Sequence, residues 1–180
     1  LGSYTLFNRK CKQTFGGAEV QMYLLANELS KHKDYEVSFI VRDFNQMPIE
    51  HYGRVKVIRG MKEEKRSWLN RILPKNKVRL LSAMLKSDAN VYIQRSASGG
   101  TGLIRIFSWT LGRKFIYMTA HEIDCEGTFE RQNGLFLGKL FQLGIRKSDA
   151  VITQSNDQKR LMKEYHNKDN PKKLSLNNTD

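Results

Sequence analysis

Four short stretches carry residue types that could hold an anion or a sugar. In Thr14-Phe15-Gly16-Gly17-Ala18-Glu19-Val20, two adjacent glycines precede a run with helical spacing, Val20, Tyr23, Leu24, Leu25 and Leu29. Glycine lets the backbone reach positive φ and lets another group come close. The helix behind it offers unpaired N–H groups and the positive end of a dipole. Together these make an anion site, most often for phosphate. The same glycine pair would also serve as a tight turn into an amphipathic helix with no ligand. Glu19 stands where a carboxylate complements the dipole, which alone would explain it, or where it could touch a ligand.

The other three stretches stand just beyond β-rich runs. Arg95 is followed by Ser96-Ala97-Ser98-Gly99-Gly100-Thr101-Gly102, a small-residue loop. Its guanidinium suits bidentate phosphate binding, or a salt bridge at a strand end. His121 follows the run 114–119 and is itself followed by Glu122 and Asp124. An imidazole titrates near neutrality and could bond a sugar hydroxyl or a phosphate; a lone histidine is also often purely structural. Ser155 follows the run 150–153 and, like Asn156, suits a helix N-cap. His32, His51 and His166 lie in segments that read as surface.

Several chemistries are disfavoured. Four residues after His121 stands Cys125, so His-Glu-x-x-His is absent and no metal is expected. Gly17 is followed by Ala18, Glu19 and Val20, not by dinucleotide-site glycine spacing, and no Walker-type phosphate loop occurs. No organic cofactor is expected. Cys11 and Cys125 are far apart and read as free thiols in a reducing compartment.

The elements that must position these residues alternate. Helices are predicted over 18–31, 103–112, 135–146 and 157–165, and strands over 36–42, 55–58, 91–95, 114–119 and 150–153. A first strand is expected before the glycine loop, either with Leu1 as its tail or over the poor segment 4–7; 45–53 reads as loop, and 173–176 as strand or disorder. Val37, Phe39, Ile40 and Val41 run almost without polar interruption, as in a parallel strand covered on both faces. This alternation predicts α/β, a Rossmann-like open, mostly parallel sheet with helices on both faces. Ligands of such sheets sit outside the carboxyl ends of the strands, so the four stretches are expected to meet along one rim. One domain is expected over 1–165, with 166–180 a polar tail or linker.

Thirty-one Lys and Arg against 18 Asp and Glu give a net charge of +13. That excess suits an anionic partner: nucleic acid, membrane surface or a phosphorylated ligand. It is densest over 62–86, where Lys62, Lys65, Arg66 and Arg71 surround Trp68. A basic amphipathic helix with a tryptophan can lie on an anionic membrane; the alternative is a sheet-packing helix with a solvated basic side. No apolar run reaches the ~18 residues of a bilayer span, and no signal peptide is expected. A cytoplasmic place follows, peripheral at the inner membrane face if the basic segment binds there.

The order and spacing of three segments resemble the amino-terminal half of family-four, GT-B-type glycosyltransferases. These are Gly16-Gly17-Ala18-Glu19 with Leu25-Ala26-Asn27-Glu28-Leu29-Ser30-Lys31 and the strand at 35–41; the strand 115–121 ending in His121; and Arg146-Lys147-Ser148-Asp149-Ala150-Val151-Ile152-Thr153-Gln154-Ser155. The resemblance implies one half of a GT-B fold and a retaining, metal-free transfer of a sugar from a nucleotide-sugar donor to a glycan or lipid-linked acceptor, as in polysaccharide biosynthesis. It implies that Gly16 and Gly17 approach the donor diphosphate and that His121 lies near the transferred sugar, with Glu19, Arg95 and Ser155 lining the cleft. The family's second domain, with paired glutamates seven residues apart, is not in this sequence, so the chain alone is expected to be inactive. The competing expectation is a basic α/β binding module for nucleic acid or another polyanion. Nucleic acid is not expected as a partner, since neither an interleaved aromatic pattern nor a nucleic-acid motif is found.

Overall fold

The computed structural model describes residues 3–62, 75–168 and 171–173. The chain divides into two compact units, 1–89 and 90–180. It is α/β with mostly parallel strands alternating with helices, Rossmann-like as expected, and its strands form two hydrogen-bonded sheets among the described residues.

The first unit runs α1 (Tyr4–Phe7), α2 (Gly17–Lys31), β1 (Val37–Asp43), β2 (Ile49–Tyr52), β3 (Val55–Lys62) and α3 (Lys75–Ser87). Its sheet has the order β1-β3-β2, with β1 parallel and β2 antiparallel to β3. Residues 4–7 are a helical turn, which rules out the reading of this segment as the first strand. Tyr4 and Phe7 stand three apart, which puts both rings on one helix face. Phe7 lies 4.9 Å from Tyr23 and 5.1 Å from Phe39 between ring centroids, while the Tyr4 hydroxyl donates to Glu50 at 2.8 Å. Tyr4 closes the core with Val41, Val55 and Val57.

β2 is the second correction, since 45–53 was expected as loop. Gly53, at φ 59°, turns the chain between Tyr52 and Val55 into an antiparallel hairpin. β3 also runs past 58, where the strand was expected to end, and through Gly60. A Cβ there would stand 2.8 Å from the Ile40 side chain. In α3, Leu80, Ala83 and Met84 are buried, whereas Val78 and Leu85 are exposed.

The second unit runs β4 (Val91–Arg95), α4 (Thr101–Thr110), β5 (Lys114–Met118), a 3-10 turn (Glu122–Asp124), α5 (Thr128–Arg146), β6 (Ala150–Thr153), α6 (Asn156–His166) and β7 (Lys172–Lys173). Its sheet is parallel throughout, ordered β4-β5-β6-β7. Phe115, Tyr117, Val151, Phe141, Ile145 and Met162 fill its core. α5 begins seven residues before its expected start and bends at Gly134, φ 77°. α4 and α5 meet backbone to backbone, with Gly102 against Leu140 and Gly144 against Gly102. His166, expected at the surface, is fully buried.

Candidate functional site

Parallel pairing of β4, β5 and β6 aligns their carboxyl ends. Arg95 is in register with Met118, and Met118 with Ile152. Arg95, His121 and Ser155 therefore follow neighbouring strand ends on one edge of the second unit. Gly16, Gly17 and Glu19 belong to the first unit. There the short connection 32–36 turns the chain back, so the glycine end of α2 lies toward the carboxyl end of β1.

The loop after β4 is wired to its strand. The Gln94 amide donates to the Ser96 carbonyl at 3.0 Å, to Ser98 Oγ at 2.9 Å and to Thr101 Oγ1 at 2.8 Å. Ser96 stands at φ 69°, a conformation that costs a non-glycine residue roughly 1 kcal/mol or more and persists only where its surroundings fix it. Arg95 is half-buried. Burial pulls its pKa below the usual value, and the charge of Asp124 opposes that; an arginine remains cationic throughout.

The loop after β5 turns on Asp124. This carboxylate is 6% exposed. Its Oδ2 accepts the backbone N–H of Ala120 at 2.8 Å and of His121 at 3.1 Å, and its Oδ1 accepts the N–H of Ala97, in the loop after β4, at 3.1 Å. Such charge-assisted bonds offset the cost of burying the charge. The His121 side chain is left exposed while its backbone is fixed. The neighbouring Cys125 is buried, which pushes its thiol up to about 12, with Asp124, Glu122 and Glu126 adding to the shift; it stays a protonated thiol rather than a nucleophile.

The third edge loop is tied back likewise. Ser155 caps α6, its Oγ accepting the Gln158 N–H at 3.1 Å. Gln154 donates to the Thr119 carbonyl at 2.9 Å and the Ala120 carbonyl at 3.2 Å. The Gln158 side chain accepts from Thr119 Oγ1 at 2.6 Å and from the Gln154 N–H at 2.9 Å.

In the first unit neither glycine of the pair needs its conformational freedom. Gly16 is extended at φ −108°, and Gly17, the first residue of α2, is not among the positive-φ positions. The Glu19 carboxylate accepts the Gly16 N–H at 3.0 Å, which is a helix cap. A Cβ on Gly17 would meet nothing within 4 Å, so close approach from outside is the remaining use of that glycine. Lys62 is exposed at the end of β3, its N–H and carbonyl bonded to the Asn76 side chain. Lys65, Arg66, Trp68 and Arg71 lie outside the described residues.

Sequence reasoning passed over Asp124, Gln94 and Gln158. Asp124 carries a readable signal, an acid three residues after a strand-end histidine, as in a capped turn. Gln94 and Gln158 carry none, because an amide on a strand or helix looks the same whether or not it is wired into a loop.

The model of Glycosyltransferase Family 4 matches residues 15–174, and the chain belongs to that family. It is a glycosyltransferase-type domain. No individual curated protein matches it. No helix among the described residues is long and apolar enough to cross a membrane.

Proposed function

We propose that the chain is the acceptor-side half of a retaining glycosyltransferase that moves a sugar from a nucleotide-sugar to a lipid-linked or glycan acceptor without a metal ion. The observation that carries this reading is His121, exposed just past the carboxyl end of β5 and on the same sheet edge as Arg95 and Ser155, in a chain of this family. In the reaction the bond from the sugar C1 to the diphosphate breaks, a bond from C1 to the acceptor oxygen forms, and the acceptor proton leaves with the diphosphate. His121 lies near the transferred sugar. In the first unit Gly16 and Gly17 approach the diphosphate at the positive end of α2, with Glu19 beside them; in the second, Arg95 and Ser155 share the strand-end edge with His121 and line its side of the cleft. A second Rossmann-like domain reads the nucleotide.

The chain alone, given nucleotide-sugars and lipid-linked acceptors, should transfer no sugar. Joined to a second domain with the paired glutamates, it should. Transfer by the chain alone, measured with radiolabelled donor, would overturn the division of labour.

Membrane contact is the second part of the reading. The net charge of +13 and the segment carrying Lys62, Lys65, Arg66, Trp68 and Arg71 suit an anionic surface, such as the inner membrane face. The chain should float with vesicles containing anionic phospholipid at low salt and be released at high salt. Failure to float at low salt removes this part.

A further inference from the structure

A buried carboxylate needs partners, and Asp124 finds them in two different loops. It accepts N–H groups from Ala97 after β4 and from Ala120 and His121 after β5. The Ala97 bond lies next to Ser96, whose positive φ must be held by its surroundings. Arg95, one residue earlier, feels the negative charge. Asp124 therefore ties the backbone that carries His121 to the loop that begins at Arg95.

We infer that Asp124 is a positioning residue for sugar transfer: its carboxylate holds the His121 backbone and the Arg95–Gly100 loop at a fixed spacing. The inference rests on the glycosyltransferase reading above and adds a residue that never touches the sugar. An asparagine would keep one acceptor oxygen but set an NH2 against the N–H groups on the other side. At least one of the two loops is then released, and a shift of about 1 Å in a reacting group costs on the order of 10²-fold in rate.

The test is a double-mutant cycle in the complete transferase, with nucleotide-sugar and acceptor and with thermal melting to show that each variant is folded. Asp124→Asn should lower kcat on the order of 10²-fold with KM little changed. In a His121→Ala background it should lower kcat by a clearly smaller factor, because one of the two groups it positions is gone. Loss by the same factor in both backgrounds would mean a general structural role and overturn the inference, leaving the glycosyltransferase reading intact. A fully active His121→Ala enzyme would instead overturn the reading of the site, and the inference with it. If Asp124→Asn does not yield folded protein, Asp124→Glu, which keeps the charge on an arm one methylene longer, takes its place with the same decisive comparison.

Discussion

Gly102→Ala should destabilise the second unit by about 3 kcal/mol, whereas Gly99→Ala, in the loop just before α4, should change stability by less than about 0.5 kcal/mol. A Cβ on Gly102 would stand 2.2 Å from the Leu140 carbonyl oxygen and 2.5 Å from its Cγ. Backbone cannot rotate out of the way as a side-chain tip can, so α4 must move off α5. At Gly99 a Cβ would meet nothing within 4 Å, and the residue is not at positive φ. For a chain of this size the loss at Gly102 corresponds to roughly 6–12 °C in melting temperature. Thermal or urea melting of the two variants decides the matter, and equal midpoints would show that the helices do not meet as closely as described. Displacing α4 should also disturb the loop after Arg95, because its first residue, Thr101, holds the Gln94 amide that shapes that loop.

Gly102 also shows where sequence reading stops. In the chain it looks like the last of several loop glycines, yet it lies one residue inside α4, and what requires it is another helix about forty residues away in sequence. Elements whose signal is local were legible: the apolar run of β1, the periodicity of α2, the Ser155 cap of α6. Elements fixed by distant partners were not. Tyr4–Phe7 carries aromatic residues that favour strands, but the pull of Tyr23 and Phe39 on Phe7 outweighs that preference in the structure. β2 was hidden by Pro48 and Gly53, although the glycine is the turn that makes the hairpin. The start of α5 was hidden by Gly134, which bends the helix without ending it.

The site divides along the same line. Strand-end positions could be placed by counting elements, so the location of Arg95, His121 and Ser155 was legible, and parallel register sets them at neighbouring strand ends. The bonds that fix those ends run between loops about 25 to 35 residues apart in sequence, as from Asp124 to Ala97 and from Gln154 to Thr119. Composition gives no hint of them. The glycine pair shows the reverse case. Its pattern was the most conspicuous in the sequence, yet its backbone is ordinary and its N–H is taken by Glu19. A diphosphate approaching there would have to share the turn with a carboxylate.

Acidification from about pH 6.5 to about pH 4 should weaken the second unit, and His166 is the main reason. Its side chain is fully buried at the end of α6, and neither ring nitrogen makes a hydrogen bond of good geometry among the described residues. Burial first, then the charge of Arg146, lower its pKa from the ordinary 6.5 to about 4, against a smaller opposing pull from the Cys125 backbone. The unfolded chain therefore takes up a proton through this window while the folded chain refuses it, and stability falls as pH falls. At about 1.4 kcal/mol per pH unit the group accounts for about 3 kcal/mol, complete below about pH 4. Glu130 acts in the opposite sense. Its carboxylate lies 3.4 Å from His166 Nδ1, and burial raises its pKa while its own backbone, Arg131 and Arg146 lower it. A raised carboxyl binds its proton earlier in the folded chain, which adds stability as pH falls and blunts the histidine effect near the bottom of the window. Urea unfolding from pH 7 to pH 4 should then show a declining stability in the parent chain, a flatter profile in His166→Phe and a steeper one in Glu130→Gln. The slopes, not the absolute stabilities, carry the test, since either substitution also changes packing beside Phe141, whose ring lies 6.0 Å from that of His166. A His166→Phe profile parallel to the parent's would assign the acid sensitivity to other groups.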